Sequence, residues 1–258
     1  CAADFPGHDG FKCLGELNAE ELSGLLPTRH EVTHAEFLAA INGWQAYTSS
    51  YPRVIEDALA TDTSALPYLN AALRRHLQRF PSVRNGLCRM EDEILQLLLK
   101  GGRSFMEVFT HLSRIDHPPF FGDGYVNRCL EGLSSAKKPA ISVENANEGV
   151  PGRRYTITDV GRDVLAGRSD FITMNGIDRW LGSVHLQESG IQWRWDEQGR
   201  RLVRMAPPAV PKSTGREARP LTDRGGASTG RENCDDPLAM LFYGLVTALI
   251  RVKADKIM

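Results

Sequence analysis

Between Gly86 and Gly167 the spacing of apolar residues changes from helical to strand-like and back, an order that few folds accommodate. Met90, Ile94, Leu97 and Leu98 recur on one helical face, and Gly101-Gly102 ends that run as a flexible C-cap does. Ser104-Phe-Met-Glu107 is a capping box, a hydroxyl and a carboxylate spaced to satisfy the partnerless N–H groups of a helix start. Phe105, Val108, Phe109 and Leu112 follow on one face, and Pro118-Pro119 breaks the chain. Asp123 is placed to cap a third helix with Tyr125, Val126, Cys129, Leu130 and Leu133 inside. The spacing therefore predicts helices over 89–100, 105–114 and 124–135. The period then becomes two: Ile141 and Val143 alternate with polar residues, 145–152 carries turn residues, and Tyr155 and Ile157 resume the alternation. Thr158 offers a cap for a short helix holding Val160, Val164 and Leu165.

Three helices followed by a hairpin with a long tip read as a winged helix-turn-helix. The run from Tyr155 to Arg162 resembles the wing exit of many bacterial winged-helix domains. That fold grips nucleic acid or another protein, so it identifies an architecture and leaves the partner open. Neutralising phosphates takes Lys and Arg. Residues 86–170 hold eleven Lys and Arg against twelve Asp and Glu, a net of −1. The expected reading helix shows a mixed set, Asn127, Arg128 and Glu131, while Lys137, Lys138, Arg153 and Arg154 are placed to line one edge and meet a partner. As ordinary solvated charges flanking a hairpin, the same four residues need no partner. Protein and nucleic acid both remain open.

The whole chain, 258 residues with 41% hydrophobic and 24% charged content, is long enough for two small domains or one composite, and its net charge of −1 exerts no general pull on nucleic acid or anionic membranes. Its five cysteines are scattered, without a C-x-x-C pair or a His at metal-ligand spacing, so neither a metal nor a cofactor is expected and a reduced, cytoplasmic setting is. Cys88 and Cys129 read as packing or near-cap residues. No run of about twenty apolar residues predicts a membrane span. The chain begins at Cys1, and the expectation is that it continues a longer protein.

Ahead of residue 86 the pattern is helical. Asn18-Ala-Glu-Glu21 and Thr33-His-Ala-Glu36 are capping boxes, the second opening a helix whose inner face is expected to be Phe37, Leu38, Ile41 and Trp44. Pro52 suits the first turn of another helix, with Val54, Ile55, Ala58 and Leu59, and a further stripe runs through Leu69, Ala72, Leu73, Leu77 and Phe80. Arg74, Arg75, His76, Arg79 and Arg84 cluster at its end. They suit an anion clamp, and equally the negative end of a helix dipole. After residue 170, alternation over 183–187, 191–196 and 201–205 predicts a three-stranded meander packed by Trp180, Trp193 and Trp195. Asp178, Arg179 and His185 invite an acid/base reading, though no nucleophile lies near them in sequence.

Leu66-Pro67, the run Ala72 to Leu77, Phe80-Pro81-Ser82, Asn85-Gly86-Leu87, Phe121-Gly122-Asp123, Leu165 to Arg168, the run Asn175 to Gly182, and Val184-His185-Leu186 together resemble a bacterial family defined only as a conserved domain of unknown function. The resemblance spans residues 10–205, with Ser183 standing where a second glycine is expected. It implies a Rossmann-like α/β segment ahead of this part and a cytoplasmic bacterial setting. It implies no activity and no catalytic residue.

The expectation is an α+β, mainly helical fold: a helical bundle (1–85), a winged helix-turn-helix (86–170), a small antiparallel β-meander packed on it (171–205), and a disordered tail (206–258). The tail carries the apolar stretch Leu238 to Ile250, suited to self-association, to docking on the body, or to a membrane surface. It reads equally well as a sequence appended by a shifted frame. The function expected is a non-enzymatic binding module. The alternatives are a structural scaffold, and an enzyme or nucleotide-binding protein whose site is completed by Arg75, His76, Asp178, Arg179 or His185 together with the Rossmann-like segment.

Overall fold

The computed structural model describes residues 17–25, 27, 31–115, 121–187 and 192–205. Leu238 to Ile250, the Pro118-Pro119 break and the turn 188–190 lie outside them. Helix α1 (Ala19–Gly24) and helix α2 (His34–Tyr47) start at the two expected capping boxes, closed by Asn18 with Glu21 and by Thr33 with Glu36. Helices α3 (Val54–Leu59) and α4 (Leu69–Leu77) complete the N-terminal part. On α2 the expected inner face is corrected. Ala39, Ala40, Gly43, Ala46 and Tyr47 are buried, whereas Phe37, Leu38 and Trp44 are 39%, 45% and 41% exposed. Mostly small residues face inward because α2 packs closely against α3 and α4, and Tyr47 at its C-terminal end is the one large ring on the buried side.

The middle of the chain runs α5 (Arg89–Leu99), β1 (Arg103–Ser104), α6 (Phe105–Ile115), α7 (Asp123–Ser134), β2 (Ile141–Glu144), a 3-10 turn (Val150–Gly152), β3 (Arg154–Ile157) and α8 (Asp159–Leu165). The three strands form one antiparallel sheet in the order β1-β3-β2, with Ile141 opposite Ile157 and Arg103 opposite Tyr155. Ser104 and Glu107 close their box, and a carboxylate oxygen of Glu107 accepts the Ser104 N–H at 2.8 Å. Gly122, not Asp123, is the N-cap of α7. Asp123 is the first helical residue and accepts the Gly124 N–H at 2.9 Å. Ile94, Leu98, Val108, Leu112, Val126, Leu130, Leu133, Ile141, Tyr155 and Val164 share one core, so the expected apolar faces meet.

The Thr158 hydroxyl holds the exit of β3 in two directions, accepting the Gly161 N–H at 3.1 Å and donating to the Pro139 carbonyl at 2.8 Å. Thr158→Val keeps the shape and removes both bonds, and is expected to cost about 1–2 kcal/mol. A lowered denaturation midpoint with unchanged slope against denaturant is the readout.

Beyond α9 (Phe171–Asn175) lie β4 (Asp178–Leu181), β5 (Val184–Gln187), β6 (Gln192–Asp196) and β7 (Arg201–Met205). They pair as two separate hairpins, β4-β5 and β6-β7, which corrects the three-stranded meander. The residues around Trp180 form a strand of their own. The β4-β5 turn is the two-residue Gly182-Ser183, with Gly182 at φ +59°. Only the first position takes a positive φ, as in a type II′ hairpin, so Ser183 is accommodated. The expected docking on the 86–170 segment is also corrected. Leu181, Val184, Leu186, Trp193, Trp195 and Leu202 share a second core with Ile55, Leu69, Leu73, Leu77 and Phe80. Trp180 stays 55% exposed and packs nothing inside.

The link 81–87 joins the two cores. Trp195 donates its N–H to the Pro81 carbonyl at 2.8 Å, Val83 donates to Trp195 at 3.0 Å, and Phe171 donates to Asn85 at 2.8 Å. Gly86 has φ +76°, and a Cβ there would meet Asp170 Oδ1 at 2.8 Å, so only glycine suits this crossing. Asp170 in turn accepts from both terminal nitrogens of Arg194, each at 3.2 Å.

Candidate binding face and buried polar junction

Helix α7 presents its exposed side through Asp123, Gly124, Arg128, Glu131 and Gly132, and Lys137 and Lys138 follow it on the surface. The Asn127 amide donates to Glu131 Oε1 at 2.9 Å. The two arginines on the hairpin are engaged internally. Arg154 donates to the Gly102 carbonyl at 2.7 Å, which ties β3 to the end of α5, and Arg153 donates to the Glu148 carbonyl at 3.3 Å within the long tip. Of the six residues placed at this edge, Arg128, Lys137 and Lys138 are exposed cations on α7 and directly after it.

The five alternative residues fall into four surroundings. Arg75 lines a surface pocket and donates to Gln78 Oε1 at 2.7 Å. His76 is 1% exposed and sits in the core, its ring 5.0 Å from Tyr47 and 5.9 Å from Phe80, both edge-on. In the β4-β5 hairpin alternate residues face opposite ways. Asp178 and His185 share the outer face, His185 Nε2 lying 2.6 Å from Asp178 Oδ1 and its Nδ1 2.6 Å from Gln187 Nε2. The Trp180 ring stacks on the imidazole at 4.2 Å. Both imidazole nitrogens are occupied, which suits an Nε2–H tautomer donating to Asp178 and accepting from the Gln187 amide. Arg179 points inward instead, away from that pair.

Inward lies a junction of polar groups that spacing in sequence does not reveal. Arg179 donates to Glu91 Oε1 at 2.6 Å, and Cys88 donates its N–H to Glu91 Oε2 at 2.7 Å. Glu91 is 3% exposed, and it is the third residue of α5, where a carboxylate also meets the positive end of the helix. Its charge holds the Arg179 guanidinium above its ordinary pKa against the opposing effect of burial. Cys88 and Cys129 are both buried and unbridged, and their sulfurs and a Glu91 oxygen all lie within 4.8 Å of one another. A hydrogen bond with Cys88, then burial, pushes the Cys129 thiol well up. Burial likewise raises the Tyr125 phenol, with the two thiols adding to the effect. The one advance signal was Cys88-x-x-Glu91 ahead of an apolar stripe, the spacing of a capping box with Cys in the cap position.

Next to the junction a pocket of ≈ 440 Å³ of empty space, mouth included, opens between α4, α5, α6 and the start of α7. Arg75, Arg79, Arg89 and Glu93 give it charge over a floor that includes Met90 and Tyr125. The Arg79 guanidinium lies 4.6 Å above the Tyr125 ring. Arg84 from the same sequence cluster turns elsewhere, pairing with Asp92 at 2.5 Å.

Comparison with protein-family models, with curated proteins and with solved structures gave no match. Among the described residues no helix is long and apolar enough to cross a membrane.

Proposed function

We propose that residues 86–170 are a winged-helix module that binds a protein partner through α7 and the hairpin that follows it, without catalysing a reaction. The observation that carries this reading is the topology. The order α5-β1-α6-α7-β2-β3 with β3 central agrees with the order expected of a winged helix, and it leaves one side of α7 and the long tip 145–153 in solvent. The choice of a protein follows from charge. Arg128, Lys137 and Lys138 stand beside Asp123 and Glu131, and a mixed surface of this kind pairs with a complementary protein patch better than with a row of phosphates. The alternative residues support no second reading, since His76 is core, Arg179 is half-buried and paired with Glu91, and the Asp178–His185 pair has no nucleophile beside it among the described residues.

The test is capture of partners from a bacterial lysate by the immobilised full-length chain, with and without nuclease, beside the variant Arg128→Glu/Lys137→Glu/Lys138→Glu. The expected result is a nuclease-resistant protein whose affinity falls about 100-fold in the variant, as loss of central interface contacts does. Recovery that disappears with nuclease and falls steeply with salt would replace the protein by nucleic acid. Capture that the variant leaves unchanged would remove α7 from the interface.

A further inference from the structure

We propose that Cys88, Glu91 and Cys129 form a binding site for a thiophilic divalent cation of the zinc class. Two thiols and a carboxylate are the donors such an ion selects, because thiolate sulfur favours zinc over the hard cations calcium and magnesium. The three donor atoms lie within 4.8 Å of one another, all three residues buried. Tetrahedral Zn–S and Zn–O bonds place donors about 3.5–3.8 Å apart, so the cluster has to close by at most about 1 Å to grip an ion.

Charge balance favours the exchange. In the metal-free junction the Glu91 carboxylate is offset by Arg179. Binding one M²⁺ forms two metal–sulfur bonds and one metal–oxygen bond, breaks two S–H bonds and sends two protons to solvent. The net charge is therefore unchanged: two thiolates and a carboxylate carry −3, and the ion and Arg179 carry +3. Without Arg179 the same site would bury a residual negative charge. Glu91 keeps its bond to Arg179 through one lone pair and ligates through another, the arrangement in which an outer partner orients a ligating carboxylate. Three protein donors leave the fourth tetrahedral position to a water. The ion would join the start of α5, the middle of α7 and, through Arg179, strand β4.

The experiment uses the full-length chain, reduced and stripped with a chelator, titrated with Zn²⁺ by calorimetry in buffers of different ionisation enthalpy and with Co²⁺ by absorption. Expected are one equivalent bound, about two protons released per ion, a cobalt–thiolate charge-transfer band, and a melting temperature raised by about 5 °C or more once Zn²⁺ reaches roughly 100 times its Kd. Cys88→Ala/Cys129→Ala should lose affinity at least about 100-fold and lose the charge-transfer band. It retains Cys1, Cys13, Cys234 and every histidine, so ions held elsewhere on the chain persist in it. Cys129→Ser and Cys88→Ser, which keep a small polar side chain, supply folded comparisons should the double variant fail to fold. The proposal is overturned if the reduced chain binds no stoichiometric Zn²⁺, if the cysteine variants bind it equally, or if air oxidation to a Cys88–Cys129 disulfide is the only change the pair undergoes.

Discussion

Arg179→Met is expected to destabilise the chain by about 3–5 kcal/mol, the cost of leaving a buried carboxylate without its cation. The asymmetry between the two partners makes the test sharp. Glu91 is 3% exposed and has no access to water, whereas the Arg179 side chain is 33% exposed. Glu91→Gln should therefore cost less, about 2 kcal/mol, because the stranded guanidinium can turn to solvent and the amide oxygen still serves one of the two donors. Glu91→Leu/Arg179→Met removes both charges and should recover most of the loss, as apolar replacement of buried ion pairs does elsewhere. Urea denaturation in the presence of a chelator, which separates this effect from metal binding, gives the cycle. Equal losses for the two single variants, or additivity in the double, would show that Arg179 and Glu91 do not act as a pair in solution.

That pair also shows where the sequence is legible and where it is not. Asn18, Thr33, Ser104 and Thr158 could be read as caps because their partners lie within three residues and the chemistry is local. The apolar stripes on α5, α6 and α7 were equally readable, since one face of each meets a single core. Helix α2 was not, because both its sides carry apolar residues and the choice between them rests on how closely α3 and α4 approach. Strand β1 is two residues long and exists by its pairing with β3 alone, so no periodicity could announce it. The two hairpins pair and pack through contacts set by tertiary approach. Phe80 and Ile55 offered their side chains as good a surface as the 86–170 segment did.

The site divides in the same way. Asp178 and His185 are seven residues apart in sequence and meet across a hairpin whose alternation puts them on one face, so their pairing follows from register. Arg179 lies between them in the reading of residues and on the opposite face in space. It reaches Glu91, 88 positions away, and Cys88 reaches Cys129 across α5 and α7. Long-range meetings of this kind depend on the packed arrangement of three elements. The position of Arg154 is another instance. As a residue flanking a hairpin it suits a partner's surface, yet its bond to the Gly102 carbonyl makes it a brace between the sheet and α5, leaving α7 and the two lysines after it as the outward cations.

Gly161→Ala is the second large effect, and its sign is decided by two opposing magnitudes. Gly161 lies inside α8, where alanine would add about 0.5–1 kcal/mol of helix stability by restricting the unfolded chain. A Cβ at this position, however, would stand 2.1 Å from the Ala140 carbonyl oxygen and 2.8 Å from Ile157 Cγ1. The carbonyl cannot yield cheaply, since it accepts the Thr158 N–H at 3.0 Å and belongs to the residue directly before β2. Steric overlap with fixed backbone in a packed core should win, with a net loss of about 2–3 kcal/mol. Because the displaced atoms connect α8 to the base of the β2-β3 hairpin, faster amide exchange should appear first along Ile141–Glu144 and Arg154–Ile157. Partner capture should weaken in proportion while α2, α3 and α4 keep their protection. A variant as stable as the parent, with unchanged exchange in the hairpin, would show that α8 stands off β2 and that the β2-β3 hairpin is held from elsewhere.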